Sequence, residues 1–135
     1  MTNPYNQNLD QNPANHQPLT PLTFLERAAS VFPDQVAIIH GDLRQNYLNL
    51  YTRSVKLSSA LNKAGIKRGD TVSALLPNTP AMLECHYGVP MSGAILHSIN
   101  TRLDPAVISF QLNHAESKIM IVDSEYIALA KEALK

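Results

Sequence analysis

The chain has 135 residues, of which 44% are hydrophobic and 16% are charged, and its 11 basic and 11 acidic residues cancel. These values are typical of one globular domain and exclude a largely disordered chain. The longest basic run is the pair Lys67-Arg68, which argues against a nucleic-acid surface. A single cysteine excludes an internal disulfide bond and fits a reducing compartment.

The N-terminus has neither the basic start nor the apolar core of a secretion signal. No apolar run approaches the ~20 residues that would span a bilayer. We therefore predict a cytoplasmic protein with no membrane span. Residues 1–19 are rich in asparagine, glutamine and proline, and this composition taken alone predicts disorder.

The first folded elements are predicted to be helix, hairpin and helix. Thr20 caps a helix that starts at Pro21 and ends before Pro33. Two short strands, VAIIH and LRQNYLN, flank a turn at Gly41-Asp42.

A longer helix follows the hairpin. Asn49 is its predicted N-cap, and Gly65 its left-handed C-terminal cap. The residues predicted to share its buried face are Leu50, Leu57, Leu61 and Ala64.

The remaining chain alternates strand and helix, which predicts a parallel sheet with right-handed crossovers. The strands are Thr71 to Pro77, Gly93 to Ile99 and Ser117 to Asp123. Thr79-Pro80 and Asp104-Pro105 start the intervening helices, and Ser124 is the predicted cap of the last one. VSALL and IMIVD are nearly continuous apolar runs, as expected for strands covered on both faces.

The stretch ECHYGVPMSGAILHSIN, residues 84–100, raises the question of a catalytic thiol. A nucleophilic cysteine needs a lowered pKa and a base within hydrogen-bond reach. On a helix, the neighbours Cys85 and His86 point roughly 100° apart, and nothing in the sequence places His97 beside Cys85. We therefore predict that Cys85 is a packing residue, and we assign no catalytic residue.

Metal and phosphate sites are also not indicated. The chain has no pair of closely spaced cysteine or histidine ligands of the kind that zinc uses, so we assign no metal ligand. Gly88 and Gly93 have the spacing of a phosphate loop, but Ala94-Ile95 follow where lysine and Ser/Thr are needed. We interpret the two glycines as close-packing positions and assign no cofactor-binding residue.

His97 is the one candidate for a substrate pocket. It precedes Asn100 near the carboxyl end of a predicted strand, where parallel sheets place their sites. The alternative is a histidine whose ring is hydrogen-bonded for structural reasons.

The order of the motifs resembles the beginning of the acyl-adenylate-forming ligases, and most closely their acyl-CoA synthetase branch. The pieces that carry the resemblance are GIKRGD, LPNTPAMLE, GAILHSIN with Thr101-Arg102-Leu103, and LNHAESK. The resemblance implies an α/β fold in which a hairpin and helix precede βαβαβα units of a parallel sheet. It further implies an extended N-terminal segment at 1–18, with only the first eight or so residues free, and an incomplete ligase domain at 19–135.

The resemblance also implies a two-step reaction on a short- or medium-chain or related carboxylic acid. ATP and the acid give an acyl-adenylate, and coenzyme A then takes the acyl group. The complete enzyme would use ATP, coenzyme A and Mg²⁺, none of which we expect to bind tightly to an N-terminal fragment of this length. A homodimer stays open, as do two other classes of protein: a non-catalytic nucleotide- or acyl-binding module, and a truncated interaction protein.

Overall fold

The computed structural model describes residues 3, 5 and 7–135. Between residues 21 and 135 it contains five α-helices, five strands and one 3₁₀ turn. Their order is α1 (Pro21–Val31), β1 (Val36–His40), β2 (Leu43–Asn46), α2 (Tyr47–Lys63), β3 (Thr71–Leu75), α3 (Pro80–Met91), β4 (Ile95–Ser98), α4 (Pro105–His114), β5 (Ser117–Val122), the 3₁₀ turn Ser124–Tyr126 and α5 (Ile127–Ala133).

The predicted parallel sheet is confirmed, and its strand order is β4-β3-β5. In the register of the sheet, Ser73 of β3 lies beside His97 of β4 and Met120 of β5. The first strand of the winding is therefore central, and the next two flank it. All three strands are shorter than predicted, since β3 and β5 end earlier and β4 is shorter at both ends.

Helices cover both faces of this sheet. Leu61 of α2 and Val89 of α3 pack against Val72 and Ala74 on one face. On the other face, Ile108 of α4 and Ala130 of α5 pack against Leu75. Because alternate residues of β3 serve opposite faces, its sequence is apolar almost throughout.

The predicted hairpin is confirmed as an antiparallel pair of β1 and β2. A separate small core joins it to the first two helices through Leu25, Ile38 and Leu50. Thr20 caps α1 as predicted, since its hydroxyl oxygen accepts a hydrogen bond from the backbone N–H of Thr23.

Two predicted caps are wrong. Asn46, not Asn49, caps α2, because the second strand ends three residues earlier than predicted and the Asn46 side chain accepts from the Asn49 N–H at 2.9 Å. Asp123, not Ser124, opens the last helical segment, since its carboxylate accepts from the Glu125 N–H at 3.0 Å and a 3₁₀ turn precedes α5. Gly65 follows α2 with a φ of +92°, which agrees with the predicted left-handed cap.

The buried face of α2 also differs from the prediction. Ala64 is exposed, and two serines, Ser54 and Ser58, are buried beside Leu50 and Leu61. The small serines let α3 approach closely, and the Ser54 hydroxyl is satisfied by donating to the Leu50 carbonyl at 2.8 Å.

Residues 7–19 are exposed, and within them the N–H groups of Asn15 and His16 donate to the Asn12 carbonyl. Met1, Thr2, Pro4 and Asn6 lie outside the described residues, and the free first eight residues were predicted to include them. The division into 1–18 and 19–135 stays a prediction.

Candidate functional site

An open cleft of about 510 Å³ lies at the carboxyl ends of β3 and β4. Open α/β sheets bind their ligands at this end of the strands. Two short segments and one helical residue line the cleft: Leu76, Pro77, Asn78, Met82, Ser98, Ile99, Asn100, Thr101 and Arg102.

The first wall is the loop between β3 and α3. The Thr79 N–H donates to the Pro77 carbonyl at 2.7 Å, which closes a tight turn around Asn78. Pro80 then begins α3, whose first turn brings Met82 to the cleft. Buried packing of Leu76 and Met82 in the sheet core anchors this wall.

The second wall is the loop between β4 and α4. The Ile99 N–H donates to the Ala74 carbonyl at 2.9 Å, so this loop leaves the sheet tied to β3. The Asn100 side-chain oxygen then accepts from the Arg102 N–H at 3.0 Å. The wall is therefore polar and its backbone is held by hydrogen bonds.

Among the described residues that line the cleft, Arg102 is the only charged one. It is exposed, and the one ion pair found in the described part of the chain joins Arg53 to Glu84, so no carboxylate there lies within 4.0 Å of the Arg102 guanidinium. A cation with no carboxylate partner beside amide and hydroxyl groups suits a ligand that carries an anionic group.

His97 lies on the sheet below this cleft. Its Nδ1 is 2.9 Å from the Ser73 hydroxyl oxygen, and the same hydroxyl contacts that of Ser117. Ser73 is wholly buried. Its contacts with His97 and Ser117 place three polar side chains in a line across the strands β4, β3 and β5. Among the described residues, His97 does not belong to the lining of the cleft, and its role as a pocket residue stays a prediction.

Cys85 and its neighbours do not form a catalytic pair. The Cys85 side chain is 2% exposed, and burial, with a smaller contribution from the Glu84 carboxylate, raises the pKa of its thiol to about 11. His86 places its Nδ1 2.8 Å from the Met82 carbonyl, where the ring can donate to the backbone. The thiol is therefore protonated near neutral pH, as expected of a packing residue, and the absence of a catalytic role stays a prediction.

The close-packing role predicted for two glycines holds for Gly88, whereas Gly93 is needed for its backbone conformation. A Cβ atom at Gly88 would lie 2.8 Å from Leu57 Cδ2 and 2.9 Å from the Ser54 carbonyl oxygen. Gly93 has a φ of +82° at the turn into β4, a conformation that side chains disfavour.

Sequence reasoning singled out His97 and did not assign the cleft residues Asn78 and Arg102. The available signal was their position, since each follows a parallel strand within a few residues. In the described part of the chain, no three histidine, cysteine, aspartate or glutamate side chains are grouped as a metal site would need. No helix in that part is long and apolar enough to cross a membrane.

Comparison with known proteins agrees with this fold. Residues 25–135 match the family described as AMP-binding enzyme. The chain is 45% identical over 127 residues to the acetate–CoA ligase CCL3 of Humulus lupulus, covering 94% of this chain and 22% of that protein. It is 48% identical over 122 residues to the peroxisomal butyrate–CoA ligase AAE11 of Arabidopsis thaliana, covering 90% and 21%.

A solved structure gives the same result. The inhibitor-bound N-terminal domain of FACL13 from Mycobacterium tuberculosis superimposes with a TM-score of 0.77 at 29% identity, covering 81% of this chain and 28% of that one. The chain shares the fold of that domain and belongs to the AMP-binding enzyme family. It spans about a fifth of the length of the curated relatives it matches.

Proposed function

We propose that this chain is the N-terminal part of an ATP-dependent acyl-CoA ligase. The observation that carries the proposal is the match of residues 25–135 to the AMP-binding enzymes, together with 45% and 48% identity to two CoA ligases. The enzyme would join a carboxylic acid to coenzyme A through an acyl-adenylate.

The chemistry explains why such an enzyme needs ATP. A carboxylate resists attack by a thiol until one of its oxygens becomes part of a good leaving group. Transfer of AMP to the carboxylate releases pyrophosphate, and the coenzyme A thiol then displaces AMP to give the thioester. Mg²⁺ would offset the negative charges that meet in the first step.

The acid would be short, medium-chain or of a related organic class. The two curated relatives are named for acetate and for butyrate, which supports a small acid as the first substrate to test. A panel from acetate to decanoate, with benzoate added, covers the range that we propose.

The cleft between the two loops would hold an anionic group of one of the substrates. ATP, coenzyme A and the acid all carry such groups, and Arg102 lines the cleft without a carboxylate partner in the described chain. His97 would act one layer below, on the strand that leads into the second wall. Its replacement by alanine should alter a KM if the ring contributes to a substrate pocket.

Three further points belong to the proposal. We expect that the 135 residues alone bind none of ATP, coenzyme A or Mg²⁺ tightly. The complete enzyme is expected to be a monomer or a homodimer and to bind no nucleic acid. A cytoplasmic location is our prediction, and the peroxisomal relative makes a peroxisome the alternative to test by imaging a tagged complete protein.

The test is release of pyrophosphate by the protein of the complete reading frame, with ATP, Mg²⁺ and each acid of the panel. We expect release that depends on one or more of the acids. No release across the panel would overturn the proposal, and a reading frame that stops at Lys135 would favour a non-catalytic module or an interaction protein.

A further inference from the structure

The short loop Asn100–Leu103, between β4 and α4, is fixed at both of its ends. On the sheet side, Ile99 is buried and its N–H donates to the Ala74 carbonyl at 2.9 Å. On the helix side, the Asp104 carbonyl accepts from the N–H of Ile108, a fully buried residue of α4, at 3.1 Å. The course of the loop between these anchors depends on its own hydrogen bonds.

Asn100 supplies those bonds. Its side-chain oxygen accepts from the Arg102 N–H at 3.0 Å, and its backbone carbonyl accepts from the Leu103 N–H at 3.3 Å. Asparagine favours this arrangement because its short side chain imitates a turn of the backbone. The backbone of Arg102 is therefore held by the side chain of Asn100.

This matters for the cleft because Arg102 is the only charged residue among the described ones that line it. A long, exposed side chain on a loose loop loses more conformational entropy on binding than one on a fixed backbone. The Asn100 side-chain oxygen accepts from the Arg102 N–H, so Asn100 can act on a ligand through Arg102. Direct donation from its Nδ2 group, which the cleft lining also allows, is the alternative that the double variant tests.

We propose that Asn100 is a positioning residue that directs Arg102 toward an anionic group, phosphate or carboxylate, of a substrate in the cleft. This inference rests on the proposed function. ATP, coenzyme A and the acid all carry such an anionic group. The KM of each substrate, measured separately, shows which of the three Arg102 contacts.

The experiment compares four forms of the complete enzyme: wild type, Asn100→Ala, Arg102→Ala and the double variant. For each, kcat and the KM of ATP, coenzyme A and the acid are measured separately. Arg102→Ala should raise the KM of one substrate by about 10-fold or more, as loss of a charge-assisted hydrogen bond does. Asn100→Ala should raise the KM of the same substrate by about 3- to 10-fold with kcat nearly unchanged. The double variant should have the same KM as Arg102→Ala alone.

Matched controls separate positioning from general damage. Asn62→Ala and Arg27→Ala remove an exposed asparagine and an exposed arginine on α2 and α1, outside the cleft, and should leave every KM unchanged. Asn100→Ser keeps a short oxygen acceptor for the turn without adding charge, and should restore part of the lost affinity.

The outcomes are distinct. Should Arg102→Ala raise one KM while Asn100→Ala changes none, the positioning role is overturned and the anionic subsite stands. An Asn100→Ala effect that persists in full without Arg102 also overturns it, because Asn100 then acts independently. If neither variant changes a KM in an active ligase, the inference and the subsite both fail, but the ligase activity stands.

Discussion

At the scale of single residues, the Cys85 thiol shows how burial decides chemistry. It is almost fully covered by the core between α2, α3 and the sheet. A thiolate there would lose its hydration and face the Glu84 carboxylate, which is why its pKa is raised to about 11. The side chain is therefore a small apolar group at neutral pH.

We predict that Cys85→Ala leaves the kcat/KM of the complete enzyme within a few-fold of wild type and lowers the free energy of unfolding by about 1 kcal/mol. A folded variant with activity reduced by three orders of magnitude would contradict the packing role.

The raised pKa gives this residue a pH dependence with a definite sign. An unfolded chain loses the thiol proton near pH 8.5, whereas the folded chain keeps it until about pH 11. The stabilising contribution of the neutral thiol is thus complete below the first value and is lost as the pH rises through the second. Denaturant unfolding at pH 8, 9, 10 and 11 should show wild type losing stability relative to Cys85→Ala, and parallel curves would contradict the raised pKa.

At the scale of elements, the contact between α2 and α3 depends on a missing side chain. Gly88 faces Leu57 and the Ser54 carbonyl so closely that a methyl group would lie within 3 Å of both. The bidentate ion pair between Arg53 and the buried Glu84 joins the same two helices. The pair adds a specific polar contact to a close helix crossing.

Gly88→Ala should therefore destabilise the complete protein by about 1–3 kcal/mol, although alanine normally favours a helix over glycine by about 1 kcal/mol. Ser59→Ala, on the exposed face of α2, is the control for helix propensity and should change the midpoint of unfolding little. Equal or higher stability of Gly88→Ala in urea would show that the helices can separate at no cost.

The elements also show where sequence reasoning stops. Alternation of strand and helix patterns predicted the three parallel strands, and the apolar runs VSALL and IMIVD indicated that two of them are covered on both faces. These sequence patterns could not give the strand order β4-β3-β5, since the order depends on the edge of the sheet at which each crossover places the next strand. The caps at Asn46 and Asp123 were missed because a second capping residue follows each within three positions, and propensity alone does not separate them.

The cleft was only partly predictable for a related reason. Its place at the strand ends follows from the fold, and Asn100 was noted there from the sequence. The hydrogen bond from the Arg102 N–H to the Asn100 side chain depends on the conformation of the loop. A periodic sequence pattern does not encode that conformation. His97 was noted for the same strand end, yet its ring meets Ser73 of the neighbouring strand.

At the scale of the whole molecule, the 135 residues expose much apolar surface. In the described chain, β4 and β5 are each paired on one side only, and Ile95 on β4, Phe110 on α4 and Leu134 beyond α5 are more than half exposed. Open strand edges beside apolar side chains promote association.

We predict that the 135 residues expressed alone do not form acyl-adenylates, and that they either aggregate or unfold weakly and without cooperativity. Light scattering after size-exclusion chromatography and thermal unfolding by circular dichroism check the second part. A soluble monomer with one sharp transition would contradict it and would identify these residues as a self-sufficient domain.

Trapping the intermediate of the proposed ligase is the most direct test that the complete protein forms an acyl-adenylate. The protein of the complete reading frame is incubated with ATP, Mg²⁺ and an accepted acid but without coenzyme A, and the products are analysed by mass spectrometry. We predict an acyl-adenylate that is consumed when coenzyme A is added, with equal amounts of AMP and acyl-CoA appearing. ATP hydrolysis at a rate that does not depend on the acid, or an acyl-adenylate that coenzyme A does not consume, would contradict the proposed ligase activity.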